Sequence, residues 1–120
     1  MKRVVGYFRK NVIDTLNLSI EPDTPIYIAD SNIEHMQKSH PEDYSRYFEK
    51  IERILEKPDY VGKNPKDDSV EFVKEYKIDG NFVKVAVRIS TGNQYYARSL
   101  YVLNPTRVRV FFAKGTLKEL

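Results

Sequence analysis

The chain has 120 residues, 41% hydrophobic and 31% charged, with 20 Lys+Arg against 17 Asp+Glu for a formal charge of +3. That length suits one domain, residues 1–120, with a core large enough to fold without a covalent staple. The absence of cysteine excludes disulfides, thiolate metal sites and thiol nucleophiles.

No apolar run is long enough to cross a membrane. The opening Met1–Gly6 is basic and carries no signal-type hydrophobic stretch, so a soluble, cytoplasmic protein without a membrane partner is expected. Charge is unevenly spread. Acidic residues crowd between Glu42 and Glu75, whereas after residue 83 Lys84, Arg88, Arg98, Arg107, Arg109, Lys114 and Lys118 face a single acid, Glu119. A basic C-terminal half suits a polyanion, although a solvated basic face would look the same.

Val4–Phe8 reads as a short strand, Val12, Ile13 and Leu16 as a short helix, and Ile26–Ile28 as a second short strand. Ser31-Asn32-Ile33-Glu34 has the form of a capping box that opens a helix. That helix cannot run past Ser39, because Pro41 disfavours helical geometry at His40. Pro41 in turn suits the first turn of a new helix, with Glu42 and Asp43 near its positive end. Tyr44, Tyr47, Phe48, Ile51, Ile54 and Leu55 recur at helical spacing until Pro58, so one long helix with an apolar face is expected.

Beyond Pro58 the period changes to two. Lys63–Ser69 is a polar loop. Asp79-Gly80 and Gly92-Asn93 then mark two tight turns, between strands Val70–Ile78, Asn81–Ser90 and Tyr95–Leu103. Asn104-Pro105 breaks the chain, and Arg107–Phe112 alternates as a last strand. The plan is α+β.

If Asp79-Gly80 is a two-residue loop, Ile78 faces Asn81, Tyr76 faces Val83, Lys74 faces Val85, Phe72 faces Val87 and Val70 faces Ile89. This face is apolar apart from Lys74 and should receive the long helix. The opposite face pairs Glu75 with Lys84 and Glu71 with Arg88. Gly92-Asn93 as the next loop sets Ser90 against Tyr95, Arg88 against Ala97, Ala86 against Ser99 and Lys84 against Tyr101. Glu71, Lys84, Arg88, Tyr95, Ser99 and Tyr101 would then share one surface, and a slip of one residue would scatter them. Cations, hydroxyls and aromatic rings together suit RNA, as phosphate clamps and stacking platforms. A solvated face with cross-strand ion pairs is the plain alternative.

His35 and His40 are the chain's two histidines, five residues apart at a helix break. They could hold a zinc ion, but no third ligand stands at a familiar spacing, so neither a metal nor another cofactor is expected. They could also simply pack or cap. Their chemistry points elsewhere: RNA cleavage without a metal needs a base for the 2′-hydroxyl, an acid for the leaving 5′-oxygen and cations around the phosphate.

The run Ile28–Pro41, with His35 and His40-Pro41, resembles the "HI-x-x-RHP" block of a phage-associated nuclease family. Lys57-Pro58-Asp59-Tyr60-Val61 resembles that family's "NPD" signature, and Val83–Ile89 and Ala97–Leu100 continue the likeness in order, as does the opening Val5-Gly6-Tyr7. This is the phage and mobile-element branch of the superfamily that includes barnase, EndoU, the tRNA-cleaving colicins and RelE. Lys38-Ser39 replaces the usual basic residue before the second histidine, and the tail lacks the family's tryptophan.

The resemblance implies a single nuclease-like domain in which N-terminal helices pack on one face of a four-stranded antiparallel sheet. It also implies a metal-independent ribonuclease of phage or toxin-like origin. His35, His40, Arg88 and Ser99 match its catalytic positions. Lys74 falls where a basic residue is common, although the register turns it toward the helices. Glu71, Lys84, Tyr95, Tyr101 and Lys38 complete the expected substrate contacts. The expected partner is RNA, with tRNA and mRNA both open, and an inhibitor or antitoxin protein is a second kind of partner. The expected activity is a hydrolase-type endonuclease that leaves 2′,3′-cyclic phosphate ends. The alternative is a non-catalytic RNA-binding or phage accessory module on the same fold.

Overall fold

The computed structural model describes residues 1–90 and 92–120. In chain order the elements are β1 (Lys2–Tyr7), α1 (Lys10–Leu16), β2 (Pro25–Ala29), α2 (Asp30–Ser39), α3 (Pro41–Tyr47), a 3-10 turn (Phe48–Lys50) and α4 (Ile51–Glu56). There follow β3 (Tyr60–Lys63), β4 (Val70–Tyr76), β5 (Asn81–Ile89), β6 (Tyr95–Leu103), α5 (Pro105–Ala113) and β7 (Leu117–Glu119). The strands form one seven-stranded sheet in the order β1-β2-β6-β5-β4-β3-β7. No helix among the described residues is long and apolar enough to cross a membrane.

The α+β class stands, but the expected four-stranded antiparallel sheet does not. The meander β4-β5-β6 is extended on both sides. β2 runs parallel to β6 through Ile26 and Tyr27 against Tyr95 and Tyr96, which makes the sheet mixed. β3 and β7 add to its other edge. The helices are not all N-terminal either, because Arg107–Phe112 lies in α5 rather than in a last strand. Asn104 caps that helix by accepting the Thr106 N–H at 2.8 Å, and Pro105 occupies its first turn, where a missing N–H costs nothing. Val108 and Phe111, three apart on the helix, then pack with Val73, Leu103 and Leu117.

α1, α2, α3 and α4 contribute to the main core, with Val12, Ile13, Met36, Tyr47, Ile54 and Leu55 against Phe72, Val83, Val85 and Leu100. α2 starts at Asp30, two residues earlier than a capping box on Ser31 implies. The side chain that reaches back is Asn32, whose Oδ1 accepts the Ala29 N–H at 2.9 Å, rather than Glu34. Pro41 ends α2 as expected, leaving His40 at φ −143°, ψ 70° between two helices. The expected long helix is broken by the 3-10 turn. At that break Tyr47 lies fully buried; its hydroxyl donates to Asp79 Oδ2 and accepts from Asn81 Nδ2, each at 2.8 Å.

This tether decides the first hairpin. Arg46 also pairs with Asp79 at 3.1 Å, and the loop takes in Lys77, Ile78, Asp79 and Gly80, so Tyr76 rather than Ile78 faces Asn81. The register moves by two residues. A shift of two keeps every side chain on its face, so the apolar and polar surfaces survive while individual partners change.

Two further features brace the sheet. Asp59 of the Lys57-Pro58-Asp59 signature accepts the Glu75 N–H at 2.7 Å, a structural role at the β3–β4 edge. A Cβ on Gly62 would lie 2.0 Å from the Thr116 carbonyl oxygen, so the chain returning from α5 approaches β3 only because position 62 is glycine.

Candidate active site

β6 loses its β2 neighbour after Tyr96, and the chain leaving β2 turns at once into α2, which runs beside β6. Met36 anchors α2 in the core. Its other side presents His35 to a cavity of about 360 Å³ that is shared with Arg88, Arg98, Ser99 and Asp67. The His35 ring lies 3.4 Å from the Ser39 hydroxyl. At the helix break, the His40 ring stacks on Tyr101 at 4.7 Å and 22°. The free backbone edge of β6 is satisfied from α3, where Asp43 Oδ2 accepts the Val102 N–H at 3.0 Å.

Tyr101 joins the helix break to the centre of the sheet. The Lys84 ammonium lies 4.7 Å from its ring centroid and pairs with Glu71 at 2.9 Å, both side chains almost wholly buried. Burial pushes the Lys84 ammonium down, but its interactions with the Tyr101 hydroxyl and the Glu71 carboxylate outweigh that effect and hold it above its ordinary value. Asn64 Nδ2 donates to Glu71 at 3.4 Å. In the neighbouring cavity the Asp67 carboxylate accepts the Ser69 N–H at 3.0 Å. Hydrogen bonding to Ser69, with the Arg88 charge adding to it, holds the Asp67 carboxyl below its ordinary value.

The structure brings Glu71, Lys84, Arg88, Ser99 and Tyr101 to one face, with His35 and His40 against it. The ion pairing differs from expectation. Glu71 stands opposite Ala86, so it meets Lys84 diagonally instead of Arg88 directly. Tyr95 does not share the face. β6 bulges between Ser99 and Ala97, which pair with Ala86 and Val87, so Arg98 is the extra residue and Arg88 comes to face Tyr96. One inserted residue inverts the strand's facing. Tyr95 therefore packs edge-on against Phe8 in the core, centroids 4.9 Å apart.

Lys74 lies outside the site. Its ammonium donates to the Lys57 carbonyl at 2.7 Å. Lys38 is exposed on α2. Tyr101 is flanked by His40 and Lys84, so its ring does not offer an open stacking face. Arg98, Asp67 and Ser69 belong to the cavity, and nothing in the sequence pattern marks them for it. The bulge that adds Arg98 to the cavity lining has no glycine to announce it, and the loop that delivers Asp67 reads simply as polar.

An open mixed sheet with helices on both faces, and both histidines set against its polar face from α2 and the α2–α3 break, places the protein among α+β domains with a concave basic site. Residues 2–109 match the family described as phage-Barnase-EndoU-ColicinE5/D-RelE like nuclease3, and the chain belongs to that family of phage-associated nucleases. No curated protein and no solved structure matches the chain. Among the described residues, no three His, Asp or Glu side chains converge as a metal-ion site.

Proposed function

We propose that the protein is an RNA endonuclease that works without a metal ion and uses His35 and His40 as its acid–base pair. The observation that carries this reading is the placement of both imidazoles against the sheet face that holds Arg88 and Ser99. One neutral imidazole takes the 2′-hydroxyl proton, and the 2′-oxygen attacks phosphorus. The bond to the 5′-oxygen breaks, and the other histidine, as imidazolium, protonates the leaving oxygen. The products are a 2′,3′-cyclic phosphate and a 5′-hydroxyl. Arg88 and Arg98 would hold the phosphate oxygens and Ser99 would donate to one of them as charge builds.

The test is cleavage of single-stranded RNA in EDTA. Activity should survive the chelator, give cyclic-phosphate ends and show a bell-shaped pH profile. His35→Ala and His40→Ala should each lose about 10²-fold or more in kcat, with RNA affinity and melting temperature retained. Wild-type rates in both variants would make the histidines structural. A non-catalytic RNA-binding module draws support from one observation: His40 stacks on Tyr101 outside the cavity that His35 lines. Tight RNA binding without any cleavage would establish that second reading.

A further inference from the structure

Beside the His35 cavity, on the same sheet face, α5 and the loop after β3 enclose a larger cleft of about 610 Å³, a size typical of small-molecule sites. Five cations line it; Lys63 pairs with Asp68 at 3.9 Å and Lys84 with Glu71, and the other three are not neutralised. Glu71, the one carboxylate on its wall, is already bound to Lys84. Lys66, Arg107 and Lys114 line the cleft, and among the described residues none of them has a carboxylate within salt-bridge distance.

The floor differs from the rim. Leu103, itself nearly buried, and Phe111, whose ring lies 5.6 Å from the Arg107 guanidinium, supply apolar surface. Asn104 uses its carboxamide oxygen to cap α5, which leaves its NH₂ group as a donor. A strongly cationic rim above a partly apolar floor with an amide donor suits a ligand that carries phosphate, a flat ring and a hydrogen-bonding edge.

Position identifies the ligand further. Lys84 and Tyr101, on the cleft wall, face each other across β5 and β6; Ala86 and Ser99, in the His35 cavity, are the next such pair on that face. Two residues of strand separate them, about 7 Å, within the reach of one nucleotide along an extended strand. Phe111 and Lys114, which line the cleft, lie beyond the residues that match the nuclease family, which end at 109.

We propose that this cleft is a subsite for the nucleotide that neighbours the cleaved phosphate in single-stranded RNA. Lys66, Arg107 and Lys114 hold its phosphates, and its base lies over Leu103 and Phe111. The proposal rests on the RNA-nuclease reading for its substrate and adds a separate set of residues to it.

The experiment measures binding of a labelled, uncleavable 2′-O-methyl hexauridylate across a salt series, together with cleavage of hexauridylate and of a uridine dinucleotide. Lys66→Ala and Lys114→Ala should each weaken hexamer binding about 3–10-fold at low salt. Each should also make the salt dependence shallower by about 0.7 in log–log slope for each phosphate that is no longer neutralised. KM for the hexamer should rise, cleavage of the dinucleotide, which lacks the flanking phosphates that Lys66 and Lys114 hold, should stay unchanged, and Lys66→Arg and Lys114→Arg should restore binding. Lys77→Ala, whose side chain lies outside the cleft, should change nothing.

Unchanged affinity in both alanine variants would overturn the subsite. So would linear polyphosphate that binds as tightly as the hexamer and is weakened equally by the same variants, since the cleft would then be a polyanion patch. If those results came with cleavage that still depends on His35, the nuclease reading would stand alone. Cleft-dependent binding without cleavage would keep the subsite and remove the catalytic reading, and a protein that neither binds nor cuts RNA would remove both.

Discussion

On the helix-covered side of β4, β5 and β6, Phe72, Val83, Val85 and Leu100 are completely buried and meet other apolar side chains. On the reverse side the same strands carry Glu71, Lys84, Arg88 and Ser99, and α5 shields part of that surface. The difference shows how a period of two can build a dry core and a polar site from one run of sequence. It also shows what such a division withstands. A register shift of two at the first hairpin changed partners but not faces, whereas one extra residue in β6 moved Tyr95 from the site into the core.

The largest expected effect lies on the covered face. Phe72→Ala should remove about 3–5 kcal/mol of stability, as large-to-small changes in a filled core do. Denaturant unfolding checks this, and a loss below about 1 kcal/mol would mean that the face is loosely packed.

On the polar face the comparable test is the buried ion pair. Glu71→Ala leaves the Lys84 ammonium buried without its carboxylate and should cost about 3 kcal/mol, whereas Glu71→Leu combined with Lys84→Met should be near neutral. If the double variant is as unstable as the single one, the pair itself is needed for the fold.

The bulge offers a sharper contrast, between residues close together in space on adjoining strands. Tyr95→Ala should cost about 2 kcal/mol of stability by removing its packing on Phe8, with RNA affinity little changed. Arg88→Ala should leave the melting temperature in place and slow RNA cleavage about 10²-fold. The reverse pattern would mean that the strand's facing is wrong.

The smallest effect concerns pH. Burial pushes the Tyr47, Tyr60 and Tyr76 phenols above their ordinary value of 10.0. For Lys84 burial acts downward, but Tyr101 and Glu71 raise it above 10.5 on balance. The folded state therefore holds these protons more tightly than the unfolded chain does. The stability so gained is complete below about pH 10 and is lost as pH rises through the folded values. Melting temperature should fall on that alkaline limb. Tyr47→Phe should cost about 1 kcal/mol near neutrality, by removing the hydroxyl that joins Asp79 and Asn81, and should make the limb less steep. An unaltered limb would place the titration on the other groups.

Much of the site's placement was legible because it depends on local rules. Pro41 disfavours helix at His40, so the second histidine had to sit at a break five residues from the first. Alternation in Val70–Tyr76 and Asn81–Ile89, interrupted by Val73 and Lys74, put Glu71, Lys84 and Arg88 opposite the core. The α5 cleft was not legible. Val108 and Val110 alternate as a strand would, and Val108 and Phe111 also recur as a helix would, so the pattern of so short a segment supports either. The Asn104-Pro105 pair reads equally as a chain break and as a helix start.

The sequence by itself determined the α+β class, the helix break that carries His40 and the division of the central strands into apolar and polar faces. Each follows from chemistry within a few neighbouring residues. Tertiary structure alone decided the loop length at Asp79, the inward turn of Tyr95, the added strands β3 and β7 and the cleft beneath α5. These depend on the meeting of distant positions, such as the Tyr47 hydroxyl on Asp79 thirty-two residues away and the close approach of Thr116 to Gly62. No local pattern encodes such meetings, because they exist only once the chain has closed on itself.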